Sequence, residues 1–159
     1  FSPFFFFFFF FFFFFWLGYA IAHTAIKIVF DAMDKFKEPP ADITFVQQEM
    51  YKHFNITCQM DMLPHLYSDF KKELFSSFAK TVADGAKQGD ALSQHVLREA
   101  GRDLGRHVVA ILPKVHEATR QSLLQIVCVG SVFHSWEFLK DGFLAPINAS
   151  PLRPHQLVI

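Results

Sequence analysis

Apolar residues recur at every third or fourth position over most of residues 16–111, and this spacing predicts four amphipathic helices. The first ends before Pro39 and Pro40, because consecutive prolines cannot continue a helix. Asp42 and Asp90 are predicted to cap the second and fourth helices, and the third is predicted over residues 73–87. The predicted inward positions are Ala22, Ala25, Ile26, Val29, Phe30 and Met33; Ile43, Val46, Met50 and Phe54; Phe75, Phe78, Val82 and Ala86; and Leu92, Val96, Ala100, Leu104, Val108 and Ile111.

Proline and glycine positions add detail to this helical pattern. A short helix is predicted over residues 60–67, with Pro64 in its first turn. Gly85 is predicted to help close the third helix. Gly101 and Gly105 lie inside the fourth helix, where each costs up to about 1 kcal/mol relative to alanine. Such glycines are usually kept where a neighbouring element approaches closely, so we expect one here.

The segment LLQIVCVGSVFHSW, residues 123–136, changes the pattern. Its first seven residues are nearly all apolar, which predicts a strand covered on both faces. Gly130 ends that strand, Ser131 stands at the N-cap position of a helix, and Ser135 lies one turn further on. Such a helix start directs free N–H groups and the positive end of the helix dipole at whatever lies over Gly130, which can hold part of a nucleotide. Many α/β proteins have this arrangement without a ligand, so both interpretations stay open at this point.

The two ends of the chain differ in composition from the rest. Residues 1–15 read FSPFFFFFFFFFFFF, and the unbroken apolar run from Phe4 to Ala22 is about as long as a membrane span. Natural spans use mainly aliphatic residues, and the run lacks the basic region and cleavage site of a secretory signal. We therefore interpret residues 1–15 as a low-complexity artefact of gene prediction, a translated pyrimidine-rich tract. Residues 145–159 contain three prolines and no clear period, and we predict a disordered tail.

Charge and residue types argue against several classes of function. Lysine plus arginine and aspartate plus glutamate number 15 each, so no basic excess favours nucleic-acid binding. Cys58 and Cys128 are isolated and are predicted to be reduced core thiols, not a disulfide. The histidines lack metal-ligand spacing, and no glycine-rich phosphate loop or nucleophile elbow occurs. We expect no metal site, and the turn at Gly130 is the candidate ligand site.

Three stretches of the chain together resemble the animal N-acetyl-D-glucosamine kinase family. They are WLGYAIAHTAIKIVFDAMD, HLYSDFKKELFSSFAKTVADGAKQGDALSQHVLREAGRDLGRHVVAILP and IVCVGSVFHSWEFLKDGFL, and they keep the order of that family's C-terminal lobe over residues 19–144. The resemblance implies the α/β fold class, with residues 16–144 as an incomplete, mostly helical, actin-like (ribonuclease-H-like) ATPase lobe. It implies a cytoplasmic, homodimeric sugar kinase, similar to BadF/BcrA-type ATPases, that uses ATP and Mg²⁺ to phosphorylate the 6-hydroxyl of N-acetyl-D-glucosamine. A membrane partner is not expected.

The resemblance also implies where ATP would bind. It assigns the adenosine to Gly130, Ser131 and Ser135 at the strand-to-helix turn and to Ser76 at the start of a neighbouring helix. It places both phosphate loops, the catalytic aspartate and the sugar contacts in an N-terminal lobe outside the match. We therefore expect no catalytic residue in this chain, and a fragment that is inactive and binds ATP weakly or not at all. The alternatives are a membrane-anchored helical interaction module and a catalytically dead partner that dimerises with an intact kinase.

Overall fold

The computed structural model describes the backbone of residues 3–118 and 123–159 and the side chains of residues 16–118 and 123–159. The chain divides into two compact units, residues 1–97 and 98–159. The helices are α1 (Pro3–Met33), α2 (Thr44–Phe54), α3 (Leu63–Leu66), α4 (Lys72–Lys87), α5 (Ala91–Ile111) and α6 (Trp136–Ala149). Short 3₁₀ helices cover Gln59–Met62, Leu112–Lys114 and Ser131–Ser135, and the strands are β1 (Leu123–Gln125) and β2 (Gln156–Val158).

In the first unit α1 lies against α4, and α2 packs on both. The helical spacing correctly predicted most of this core. The predicted positions that are buried are Ala22, Ala25, Ile26 and Val29 in α1, Val46, Met50 and Phe54 in α2, and Phe75, Phe78, Val82 and Ala86 in α4. Phe30, Met33 and Ile43 are only half-buried, because they lie at helix ends.

Aromatic rings join the three long helices of this unit. The ring of Phe54 at the end of α2 lies 5.0 Å from Phe75 and 5.8 Å from Phe78, both on α4. Tyr19 on α1 lies 5.9 Å from Phe75. Aromatic pairs at these distances contribute about 0.5–1.5 kcal/mol each beyond their buried area. The cluster therefore holds the end of α2 against α1 and α4.

One of the two predicted helix caps is confirmed. Asp90 accepts the N–H of Ser93 at 2.7 Å and so caps α5. The prediction for Asp42 is wrong: the N-cap residue of α2 is Ile43 and no side chain caps this helix start, although Asp42 accepts the N–H (3.1 Å) and the hydroxyl (2.8 Å) of Thr44. The prediction for Gly85 is wrong: it lies inside α4, where a Cβ would overlap the ring of Phe45.

In the second unit α6 packs directly on the part of α5 that begins at Arg98. A Cβ on three glycines would overlap a backbone carbonyl of the opposite helix: on Gly101 the Leu139 oxygen, on Gly105 the Phe143 oxygen, and on Gly142 the Arg98 oxygen. This confirms the expectation that the glycines of α5 meet a close neighbour.

The end of the chain differs from the predicted tail. Helix α6 continues to Ala149 with Pro146 inside it, and β2 pairs in parallel with β1 in the register Leu123↔Gln156. The prediction of disorder is thus wrong for residues 145–149 and 156–158, because packing and strand pairing override the weak local signal. The prediction of a core thiol is also wrong for Cys58, which is exposed.

No helix in the part of the chain with described side chains is long and apolar enough to cross a bilayer. The side chains of the Phe run, residues 1–15, lie outside that part, so the interpretations of the run stay predictions.

We expect Gly142→Ala to lower the free energy of unfolding by roughly 1–3 kcal/mol, because the added methyl group must displace the Arg98 carbonyl. Urea unfolding followed by circular dichroism measures the change. Gly18→Ala is the matched control: its Cβ would lie 3.4 Å from the Ser76 oxygen, an ordinary contact, so helix propensity should leave it neutral or stabilising. Equal destabilisation by both substitutions would contradict the close approach.

The exposed turn before α3 predicts a pH dependence. The Thr57 N–H (2.9 Å), the Thr57 hydroxyl (2.8 Å) and the Cys58 N–H (3.0 Å) donate to Asp61 and lower its pKa to about 2. Because the folded pKa lies below its ordinary value, the stabilisation is complete above about pH 4 and is lost as the pH falls toward 2.

We therefore expect Asp61→Asn to lower the urea midpoint at pH 7 and the difference from the native chain to close between about pH 4 and pH 2. Asp141→Asn is the control, since Asp141 is exposed and takes no hydrogen bond from the described residues. A difference for Asp61→Asn that persists unchanged at pH 2 would show that the charged carboxylate is not its cause.

Candidate functional site

Strand β1 and the extended chain after it lead to the turn at Gly130. The Ile126 N–H donates to the Val158 carbonyl at 2.9 Å, so the parallel pairing continues one residue beyond β1. Leu124, Ile126 and Cys128 are half-buried, whereas Val127 and Val129 are 73% and 63% exposed. The predicted strand covered on both faces is therefore wrong: this segment is covered on one face, with the alternation of a surface strand.

The turn itself is set by the conformation of Gly130. Its φ of 113° and ψ of 170° lie in a region that only glycine adopts readily. The Phe133 N–H donates to the Gly130 carbonyl at 3.1 Å, which starts the 3₁₀ helix Ser131–Ser135. The first N–H groups of such a helix have no partner within it.

Two predicted residues occupy different places from those expected. Ser131 is not an N-cap but the exposed first residue of the 3₁₀ helix, and Gly130 precedes it. Ser135 is 3% exposed and directly precedes α6, which begins at Trp136. One 3₁₀ helix thus separates Gly130 from the start of α6, so the positive end of the α6 dipole does not lie directly at the glycine.

Two aromatic residues border the turn and were not among the predicted site residues. The rings of Phe133 and Trp136 lie 6.2 Å apart, and Trp136 meets Phe143 edge-on at 5.3 Å. Both Phe133 and Trp136 are half-buried, so each keeps part of its surface open. The signal that could have identified Phe133 and Trp136 is their spacing, two aromatic residues three positions apart that follow shortly after a Gly-Ser pair.

The charge near the turn is negative at the start of α6. Glu137 lies in the first turn of that helix and is exposed. A carboxylate there interacts favourably with the helix dipole and reduces its attraction for a phosphate. Glu137 therefore weakens the attraction of the α6 N-terminus for a triphosphate.

Ser76, the fourth predicted contact, lies in the first unit. It is in the second turn of α4, which begins at Lys72, so the prediction of a helix-start residue is wrong by one turn. Ser76 is half-buried. A Cβ built on Gly18 of α1 would lie 3.6 Å from the Cβ of Ser76. Gly130, Ser131 and Ser135 lie together in the second unit, whereas Ser76 belongs to the first.

Metal-ligating residues do not gather in the described part of the chain. Among residues 16–118 and 123–159, no group of three or more His, Cys, Asp or Glu side chains could hold a metal ion.

The comparisons with known proteins point to sugar phosphorylation. No family model matches the chain. A curated relative, the N-acetylmuramic acid/N-acetylglucosamine kinase of Clostridium acetobutylicum, is 25% identical over 132 residues, which make up 82% of this chain and 41% of the relative. The chain thus spans less than half of the relative's length. This distant likeness supports a sugar kinase family.

Cys128 lies two residues before Gly130 and is half-buried, and burial raises the pKa of its thiol. Cys58 is exposed. Since the thiolate is the reactive form, we expect a thiol reagent to modify Cys58 at least about tenfold faster than Cys128 in the native chain.

Stopped-flow labelling with a chromogenic disulfide measures both rates. Cys58→Ser should remove the fast phase and Cys128→Ser the slow one. A fast phase that survives Cys58→Ser would show that the Cys128 thiol is not protected by burial.

Proposed function

We propose that the chain is part of an amino-sugar kinase and that its turn at Gly130 holds the nucleoside of ATP. The observation that carries the proposal is the likeness to an amino-sugar kinase over 82% of the chain. Because the match covers 41% of that relative, we place the phosphates, Mg²⁺ and the sugar in a part of the enzyme beyond the match.

The turn has the properties that a nucleoside needs. Gly130 permits the turn into the 3₁₀ helix, and the hydroxyl of the exposed Ser131 can donate to or accept from a ribose hydroxyl. Phe133 and Trp136 offer ring surface beside the turn for a base. Glu137 disfavours phosphate at the same place, so the triphosphate would extend away from it.

The finer assignments belong to the same proposal. We propose that the acceptor is the 6-hydroxyl of N-acetyl-D-glucosamine, that the fold is an actin-like lobe, and that the complete enzyme is a cytoplasmic homodimer. The small parallel sheet and the mostly helical content are compatible with such a lobe. The membrane-anchored module and the inactive dimerisation partner remain alternatives.

We expect the full chain to bind adenosine and ATP with similar, weak affinity, with a Kd of about 1 mM, because the triphosphate finds no partner at the turn. Nuclear magnetic resonance titration measures both. Gly130→Ala should weaken adenosine binding at least fivefold, since a side chain is strained at φ 113°.

Gly89→Ala is the matched control, because Gly89 also has a positive φ (91°) but has no described atom within 4 Å of its Cβ position. An ATP affinity tenfold or more above that of adenosine would contradict the nucleoside-only assignment. An equal loss in Gly89→Ala would contradict the role of the Gly130 turn.

We further expect the 159-residue chain to form no N-acetyl-D-glucosamine 6-phosphate from ATP, because phosphoryl transfer needs groups that position and neutralise the phosphates. A coupled assay for ADP with and without the sugar tests this. Sugar-dependent release of ADP would overturn the inactive-fragment part of the proposal and at the same time confirm a sugar kinase.

A further inference from the structure

The chain after α6 folds back through a turn built on Ser150. The Ser150 N–H donates to the Ile147 carbonyl at 3.2 Å, and the Arg153 N–H donates to the Ser150 carbonyl at 3.1 Å. The Leu152 N–H donates to the Ser150 hydroxyl at 3.2 Å. Pro151 and Pro154 fix two φ angles in the same stretch. The turn is therefore stiff before it enters β2.

This turn, the end of α6 and Glu117 line a cavity of about 590 Å³ that is open to solvent, and we call it the tail cavity. Its polar lining consists of Glu117, Asn148, Arg153 and His155, and its apolar lining of Pro151, Leu152 and Pro154. The volume is within the range of small-molecule sites, roughly 300–1,000 Å³.

Several donors of the tail cavity are available to a ligand. Within residues 16–118 and 123–159, the side chains of Asn148, Arg153 and His155 have no hydrogen-bond or ion-pair partner. Arg106, in the same unit, instead donates to Asp103 at 2.9 Å. The guanidinium fork of Arg153 is thus free for an anion.

The polar side chains that line the tail cavity include both hydrogen-bond donors and acceptors. Arg153 and His155 supply N–H donors, and a guanidinium binds phosphate through two parallel hydrogen bonds. Glu117 already has a partner, but a carboxylate has about four acceptor positions, so it can also accept from a hydroxyl group of a ligand. Asn148 can serve either kind of group. A ligand that fits all of them carries an anionic group and several hydroxyls.

We propose that the tail cavity binds the phosphomonoester of a small polyhydroxy compound, such as a sugar phosphate. A phosphomonoester has three terminal oxygens, enough for both Arg153 and His155, whereas the two oxygens of a carboxylate can be occupied by the arginine fork alone. The proposal concerns a site separate from the turn at Gly130 and does not rest on the kinase assignment.

Isothermal titration of the full chain with glucose 6-phosphate, glucose and inorganic phosphate tests the proposal. We expect glucose 6-phosphate to bind at least tenfold more tightly than either of the other two. Arg153→Gln should weaken its binding at least tenfold. Arg153→Lys should weaken it less, because the charge remains and only the planar fork is lost.

Arg106→Gln is the matched control, an exposed arginine of the same unit outside the tail cavity, and it should leave the affinity unchanged. Circular dichroism verifies that each variant is folded, which is expected for exposed positions. No binding of glucose 6-phosphate, equal binding of inorganic phosphate, or an equal loss in Arg106→Gln would each overturn the proposal.

Discussion

The backbones of α5 and α6 touch at three glycines, and the position of α6 in the second unit follows from that contact. Gly101 and Gly105 on α5 face the carbonyls of Leu139 and Phe143, and Gly142 on α6 faces the carbonyl of Arg98. Side chains at these positions would separate the two helices. The N-terminal end of α6 carries the turn at Gly130, and its C-terminal end borders the tail cavity. Both proposed sites of this unit thus depend on one interface.

The geometry of that interface explains why the glycines are tolerated in helices. The two glycines of α5 are four residues apart, and so are the two carbonyls of α6 that they face. A row of positions spaced by four on α5 therefore lies along a row with the same spacing on α6. A glycine in a helix costs roughly 0.5–1 kcal/mol relative to alanine. Contacts between a Cα hydrogen and a carbonyl contribute about 0.5–1 kcal/mol each, which offsets that cost. Pro146 adds to the same surface, since its ring lies at the position that a Cβ on Gly105 would need.

Helical spacing identified the core of the first unit because each helix there buries one continuous face. The cap at Asp90 was also predictable, since a carboxylate before an apolar run bonds to the N–H groups just after it. The second unit was harder to predict. Strand β2 has only three residues, too few for a period of two to show, and Pro146 indicates a loop although packing keeps it inside α6. At the site, the sequence indicated Gly130 but could not distinguish a 3₁₀ helix from an α-helix after it, because both begin with the same residue types.

That distinction decides what the turn can hold. A long α-helix beginning at Ser131 would place several N–H groups and a full dipole over Gly130, which favours phosphate. The observed 3₁₀ helix has five residues, and α6 begins after it with Glu137 in its first turn. The attraction for an anion is therefore small, while the exposed Ser131 and the rings of Phe133 and Trp136 remain. A turn of this kind can hold the nucleoside of a nucleotide, but the negative charge of the phosphates must be neutralised by residues outside it.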